Sequence, residues 1–439
     1  MQQTKENKIG VIGLGHIGLP VAAAFAMSNC DVVGLDINQK RVDALNATYE
    51  ADFFEPGLTE NLQRFRNHVE FTANYDYLMK ECDVVIVVVG TTIKDDLPNF
   101  TDLEQVTNAI GSRLRKGQVI ILKSTVFPGV TRDFARKIGS MSGLVPGVDF
   151  FVAFCPERAI EGKVIEELLS LPKIIGGINQ ESLDQAAAII AKIGGEITKV
   201  SSPEVAELCK LLDNAYRVAN IAFSNEIGTL CEKMGIDSHE VIRTANKSYD
   251  RTNLFLPALG AGGPCLSKDP QILSYFIRQN NLAPRIINAC VEVSKESNDR
   301  VAQFVCQFVN GQNLAKPRIS LMGLAFKGAP ETDDIRNSPS ADIYAFLKGQ
   351  LPDAEFKFYD PLVKEFLGFA VSDSMEEVIQ GANVVIFLTN HSSLRNIEME
   401  KVVSRGARPL LVIDCWHNIV NADARSPEVA FFRVGDGTK

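Results

Sequence analysis

Cys265 stands in a setting that suits chemistry better than packing: in GAGGPCLSKDP it follows two glycines and a proline and precedes Lys268 and Asp269. A glycine-hinged loop beside a cation favours a thiolate nucleophile, because a nearby ammonium lowers a thiol's pKa. Asp269 is placed to manage a proton or a water. The competing reading is a structural thiol in a turn, as buried apolar packing is the default for Cys209, Cys231, Cys290 and Cys306. A second signature opens the chain. GLGHIG, spanning Gly13, Gly15, His16, Ile17 and Gly18, follows the strand-like KIGVI and leads into an alanine-rich helical run. In that context the glycines let backbone N–H groups reach a pyrophosphate at a helix N-terminus; a plain glycine turn is the bland alternative. Asp36 ends the next strand-like run, where a carboxylate accepts from both ribose hydroxyls and disfavours a 2′-phosphate. NAD is the expected cofactor, with Lys268 also expected to bind it, and Arg41 leaves NADP as the minor alternative. Thr91, Ser124 and Thr125 fall at later strand ends, which face the ligand crevice of a parallel sheet, although ordinary capping accounts for each hydroxyl alone.

These groups need a scaffold, and the pattern supplies one. Residues 1–200 alternate β-branched runs (KIGVIGLG, CDVVGLD, CDVVIVVVG, GQVIILKST, DFFVAFCP and a strand near 173–176) with helical stretches, which predicts a parallel sheet covered by helices. From 203 to about 234 apolar residues recur at helical spacing, with Pro203 suited to the first turn. Asn214 interrupts that apolar pattern, and a buried amide needs partners. Helix continues to about 309 around a Gly- and Pro-rich loop at 248–270, a break that invites a functional explanation. Strands then return as RISLMGLAF, FKFYDP, NVVIFLTNH and PLLVIDCW, echoing the first set, so a duplicated unit is expected. The expected fold is α/β: two Rossmann-like doubly wound domains joined by a long central helix and a helical dimerisation region, with boundaries at 1–200, 201–310 and 311–439.

Composition bounds the rest. At 439 residues the chain has room for roughly three domains. Its 46% hydrophobic and 23% charged residues are globular values that exclude disorder and fibrous repeats. A formal charge of −9 repels nucleic acid and acidic membranes at long range, so a phosphate ligand would need a focused basic pocket. Nine scattered cysteines without a CxxC pair read as reduced thiols and a cytoplasmic location; five histidines show no ligand spacing, and no metal is expected. No apolar run is long enough to cross a membrane, and MQQTKENK lacks a signal-peptide apolar region.

The ordered combination of GVIGLGHIGLP, EPGL, KSTVFPG, CPERAIEG, ELCKLLDNAYRVANIAFSNE, GAGGPCLSKD and GLAFKGAPETDDIRNSPS resembles the UDP-glucose/GDP-mannose dehydrogenase family from near Lys8 to about Asp414. That resemblance implies a two-step, NAD-dependent oxidation of a nucleotide sugar's C6 hydroxyl to a carboxylate. It makes Cys265 the nucleophile, Lys210 and Asn214 the stabilisers of charge on the C6 oxygen, Asp269 and Thr125 holders of the hydrolytic water, and Glu157 the general base or its assistant. Substrate contacts are implied at Glu157, Arg158, Glu161, Arg251, Gly262, Lys327 and Arg336, with Asp333 beside them. Arg251 is expected to reach a neighbouring subunit's substrate, and the long helix to form a homodimer. Arg158, in PER where UDP-glucose enzymes read PEF, and RTNLFLP with Pro257 turn the substrate expectation toward UDP-N-acetyl-D-mannosamine, with UDP-glucose next. A single-step hydroxyacid-type dehydrogenase and a non-catalytic nucleotide-sugar or NAD sensor are the remaining alternatives.

Overall fold

The computed structural model describes residues 8–422 and 428–438. Most of the polar MQQTKENK segment lies outside them. The contacts divide the chain into two compact units, one of Met1–Asp213 with Gln271–Leu282 and the other of Asn214–Pro270 with Ala283–Lys439.

The first unit is built on one sheet of strands β1 (Ile9–Ile12), β2 (Val32–Leu35), β3 (Val69–Thr72), β4 (Val84–Val87), β5 (Val119–Leu122), β6 (Phe151–Phe154), β7 (Lys173–Gly177) and β8 (Ile197–Lys199). Their order is β8-β7-β6-β5-β4-β1-β2-β3. Strands β3 to β6 therefore run 3-2-1-4-5-6 and pair in parallel, the Rossmann arrangement, while β7 pairs antiparallel with β6. The inner strands are apolar on both faces because helices cover both, and every residue of IGVI, VVGL, VVIV and VIIL is buried. Helix α1 (Gly18–Met27) buries nine of its residues, and its small alanines let it lie close to the sheet. Helix α2 (Val130–Ser142) follows β5.

Helix α3 (Pro203–Met234) is the long helix that the periodicity predicts, and the division between the units falls within it. In the second unit it is followed by α4 (Ser238–Asn246); the Gly- and Pro-rich loop then makes a single turn at Gly263–Leu266. Helix α5 (Asp269–Gln279) takes in Asp269 and Pro270, the last two residues of the loop expected to run to 270. Helix α6 (Arg285–Gly311) leads into the second sheet. That sheet comprises β9 (Arg318–Met322), β10 (Glu355–Tyr359), β11 (Val384–Phe387), β12 (Leu410–Asp414) and β13 (Val429–Arg433), all parallel in the order β10-β9-β11-β12-β13. This is the 2-1-3-4-5 variant of the doubly wound fold. Helix α7 (Pro339–Gln350) covers one face. Both sheets thus reverse strand order beside their first strand, where such folds bind ligands.

Candidate active site

In the first unit the reversal lies between β1 and β4, and the glycine motif crosses it. Gly13 has φ +93°, and a side chain there would press its Cβ to 2.7 Å from the Val88 carbonyl oxygen. A Cβ on Gly18 would lie 1.7 Å from the oxygen of Gly13, so helix and turn meet at a distance only glycine permits. Gly15, by contrast, faces open space within 4 Å. Ile17 precedes α1 and offers no side-chain cap; Leu19 and Val21 donate to the Gly15 and Ile17 carbonyls and Pro20 has no N–H, so the glycine turn itself is what faces the crevice. His16 stacks on Phe53 with ring centroids 4.3 Å apart. Asp36 accepts hydrogen bonds from the backbone N–H groups of Leu14 (3.0 Å) and Asn38 (2.9 Å) and keeps part of its carboxylate exposed. Arg41 pairs with Asp52 at 2.7 Å and lies 3.7 Å from Asp36, so its charge is already answered. An open glycine cradle and a part-exposed carboxylate fit a dinucleotide without a 2′-phosphate.

The next strand ends converge on the same crevice. Thr91 is buried after β4. Ser124 donates to the Val89 carbonyl (2.7 Å), which is the capping role weighed above, and Thr125 beside it is part-exposed. Lys123, absent from the candidates above, is the surprise: its side chain is 1% exposed and its ammonium lies 3.2 Å from Glu157 Oε2 and 3.8 Å from Cys155 Sγ. Glu157 Oε1 accepts from the N–H groups of Arg158 (2.8 Å) and Ala159 (2.9 Å), while Oε2 accepts no hydrogen bond within the described residues. Burial alone would push the Glu157 carboxyl up, but Lys123 and those two N–H groups hold it below the usual carboxylate range. A buried carboxylate kept ionised beside an ammonium is equipped to accept a proton or orient a water. The sequence signal for Lys123 is a lysine closing the otherwise apolar run VIILK. Arg158 pairs with Asp213 at 2.8 Å, and Glu161 is half-buried one turn further on.

In the second unit the cysteine loop is laced to the start of the C-terminal sheet. Gly262 opens the single turn, where a Cβ would meet the Pro339 ring at 2.4 Å. Gly263, at φ +88°, donates its N–H to the Asn337 carbonyl (2.9 Å), and a Cβ there would strike the Phe326 ring at 2.5 Å. Ser267 donates to the Gly263 carbonyl (2.7 Å) and accepts from Asn337 (2.9 Å). Cys265, at the head of this turn, is exposed, whereas five of the other cysteines are buried and three are intermediate. Phe326 and Asn337 are the immediate neighbours of Lys327 and Arg336, so the candidate diphosphate residues border the cysteine loop. Lys327 donates to the Pro330 carbonyl (2.8 Å), and Arg336 pairs with Asp334 (2.6 Å).

Asp269 is wholly buried just past that turn. It accepts from the Asn214 amide at 2.5 Å and from the Lys268 ammonium at 2.6 Å. A carboxylate that accepts from an amide fixes which end of the amide is nitrogen, so Asn214 is locked as a donor. Lys268, expected at the cofactor or beside the thiol, is engaged with Asp269. Lys210 lies one helical turn before Asn214 on α3, half-buried. Arg251 is exposed and sits 5.6 Å over the Tyr249 ring. No group of His, Cys, Asp and Glu side chains among the described residues forms a metal set, and none of their helices is long and apolar enough to cross a membrane.

Three successive segments of the chain match known domain families. Residues 7–194 match the NAD binding domain of the UDP-glucose/GDP-mannose dehydrogenase family, 204–296 its central domain and 320–422 its UDP binding domain. The chain is 30% identical to the UDP-N-acetyl-D-mannosamine dehydrogenase of Pyrococcus horikoshii, covering 98% of this chain and 99% of the relative. It is 34% identical to that of Campylobacter jejuni, over 91% and 98%. A solved UDP-D-ManNAc dehydrogenase structure from Pyrococcus horikoshii superposes with a TM-score of 0.89 at 29% identity, over 98% of this chain and all of that one. A UDP-N-acetyl-mannosamine dehydrogenase structure from Staphylococcus aureus gives 0.83 at 30%, over 98% of each. With its three domains in register and its dinucleotide cradle intact, the chain belongs to the UDP-glucose/GDP-mannose dehydrogenase family and is an NAD-dependent nucleotide-sugar dehydrogenase.

Proposed function

We propose that the chain oxidises UDP-N-acetyl-D-mannosamine at C6 to the uronic acid in two two-electron steps. The observation that carries this reading is the exposed Cys265 at the head of a turn hydrogen-bonded to the segment bearing Lys327 and Arg336. NAD, when bound, accepts one hydride in each step. The C6 hydroxyl loses a proton and a hydride to give the aldehyde. The Cys265 thiolate adds to that carbonyl, forming a thiohemiacetal whose oxidation leaves a thioester. Water then attacks the thioester and releases the carboxylate and the thiol, so one sugar yields two NADH and one acid. Lys210 and the donor-locked Asn214 stabilise the oxyanion, Glu157 takes up protons, and Asp269 and Thr125 hold the water. Lys327 and Arg336 bind the diphosphate with Arg158, Glu161 and Gly262 around the sugar, and Arg251 extends toward the substrate of a neighbouring subunit.

We assign residues 1–200 to cofactor binding, 201–310 to dimerisation and the cysteine loop, and 311–439 to the UDP-sugar. An exposed apolar stripe along α3, including Leu212, Tyr216, Phe223, Leu230 and Met234, supports a homodimer. Nine free thiols support a reducing, cytoplasmic location. The names of the relatives and Arg158 support the N-acetylmannosamine substrate; UDP-glucose is the second reading, favoured by the glutamate and glycine that close CPERAIEG. Assay against UDP-N-acetylmannosamine, UDP-N-acetylglucosamine, UDP-N-acetylgalactosamine, UDP-glucose and GDP-mannose decides between them: the first should turn over best, with two NADH per sugar. Preference for UDP-glucose would overturn the substrate, and one NADH per sugar the covalent mechanism. Cys265→Ser should bind both ligands while losing acid formation by at least a thousandfold.

A further inference from the structure

A carboxylate that the mechanism does not use lies wholly buried on α3. Glu207 reaches across to the start of α2 and takes three hydrogen bonds there: Gly129 N–H donates to Oε2 (2.7 Å), while Thr131 donates its N–H (2.8 Å) and its hydroxyl (2.6 Å) to Oε1. Gly129 precedes α2 in a left-handed conformation and has no side chain with which to cap it. The N–H groups of Gly129 and Thr131 at the helix start therefore depend on a residue 78 and 76 positions away in sequence. A local Ser or Asp would cap as well, which makes the remote solution informative.

What this contact joins is specific. On one side is KSTVFPG, whose first residue, Lys123, is pinned to Glu157 and whose Ser124 is pinned to Val89. Phe127 packs in the same loop against the rings of Phe100, Tyr275 and Phe276. Gly129, the last residue, is the one Glu207 holds. Thr125 lies between the two pinned ends. On the other side is α3, where Glu207, Lys210 and Asn214 fall at i, i+3 and i+7, a single helical face. We propose that Glu207 is a positioning residue that fixes the Thr125 loop against the face of α3 carrying Lys210. This rests on the functional reading above, which gives Thr125 and Lys210 their roles. Burial pushes the Glu207 carboxyl up to about 7, yet both oxygens are filled by donors, an arrangement suited to the ionised form and spoiled by adding a proton.

Glu207→Gln keeps the shape and turns an N–H₂ group toward one of the donors. Measured well below its melting temperature, it should lower kcat at least tenfold, leave KM for NAD and for the UDP-sugar within about threefold, and speed amide hydrogen exchange across residues 124–129. Thr131→Val removes only the hydroxyl bond and should lower kcat about threefold. Glu204→Gln, which breaks the neighbouring exposed pair with Arg132, should leave kcat unchanged. A lowered melting temperature with full kcat in Glu207→Gln would reduce the residue to a helix cap and overturn the proposal. If that variant does not fold, an unchanged kcat in Thr131→Val overturns it as well. A wild-type protein that oxidises none of the UDP-sugars would remove the functional reading and this proposal together.

Discussion

The two parallel sheets solve the same local problem and then diverge. Each ends its second strand with an aspartate that grips the glycine turn leaving the first strand. Asp36 holds Leu14 N–H and Asn38 N–H and keeps 12% of its side chain exposed. Asp360 holds Leu324 and Ala325 with one oxygen, Leu362 and Val363 with the other, and is buried 3.4 Å from His391 Nε2. The turns themselves match, GLGHIG beside GLAFKG, with Gly13 at φ +93° and Gly323 at φ +88°. After the turn, α1 begins at once at Gly18, whereas the second unit runs irregularly from Gly328 until α7 opens at Pro339. The first turn leaves donors and a carboxylate for a dinucleotide. The second spends its carboxylate internally, and the inserted segment carries Lys327, bonded to the Pro330 carbonyl, and Arg336, paired with Asp334. A repeated backbone motif therefore does not fix the ligand; the side chains that the two turns carry differ, a part-exposed carboxylate at the first and Lys327 and Arg336 after the second.

The largest test exchanges the two cradles. Gly18→Ala would force a Cβ against the Gly13 oxygen, and Gly328→Ala would force one to 2.1 Å from the His391 nitrogen. Backbone cannot yield by that much, so each variant should nearly abolish binding in its own half. By isothermal titration, Gly18→Ala should lose NAD affinity by at least a thousandfold while UDP binding persists, and Gly328→Ala should show the reverse. Loss of both ligands in either variant would break the comparison.

The aspartates provide the next contrast. Asp36→Asn removes a charged acceptor from the ribose, and a charge-assisted hydrogen bond is worth about 1.5–3 kcal/mol. KM for NAD should rise roughly 10- to 100-fold with little change in melting temperature. Asp360→Asn should act on stability instead. Burial would raise the Asp360 carboxyl, but His391 and the backbone donors outweigh it and hold the carboxyl below its ordinary value. Its ionised form thus contributes stability above the unfolded carboxylate pKa, and that contribution is lost as pH falls through the lower folded value. Acid melts of the wild type should show the loss, and Asp360→Asn should flatten it.

The most legible parts of this molecule were the strands buried on both faces; the edge strand β10 was legible through the aromatics of FKFY. IGVI, VVGL, VVIV and VIIL announce themselves because a strand covered twice must be apolar throughout. Strands β3, β8 and β13 did not, and all three lie at sheet edges; VEFT alternates in burial, and ITK is hardly buried at all. The site divides similarly. Glycines, Asp36 and the GGPC loop carry local signatures, since their chemistry depends on neighbours in sequence. Lys123 with Glu157 and Glu207 with Thr131 are pairs 34 and 76 residues apart, formed only once strand order is known. Asn214 was readable as a misfit in an apolar helix, but its partner Asp269 was not.

The smallest expected effect concerns ion pairs at corresponding strand ends. In the first unit Lys123 after β5 faces Glu157 after β6; in the second Asp414 at the end of β12 faces Arg433 at the end of β13, 3.2 Å away, with the polarity reversed. Asp414 also accepts from the N–H groups of Trp416, Asn418 and Ile419, so its carboxylate is fully engaged. Glu157 Oε2 faces the Lys123 ammonium and accepts from no backbone N–H group among the described residues. Breaking either buried pair costs stability by about 3–5 kcal/mol, but the kinetic consequences should differ. Arg433→Met should melt earlier and, while folded, turn over normally. Lys123→Met should lower kcat about tenfold at neutral pH. Without its counter-charge, Glu157 ionises only at higher pH, so the acid limb of the kcat profile should move upward and activity should recover on the alkaline side. A tenfold loss that stays constant with pH would mean that Lys123 supports the fold of the loop and not the charge of Glu157, and the two ion pairs would then be the same device after all.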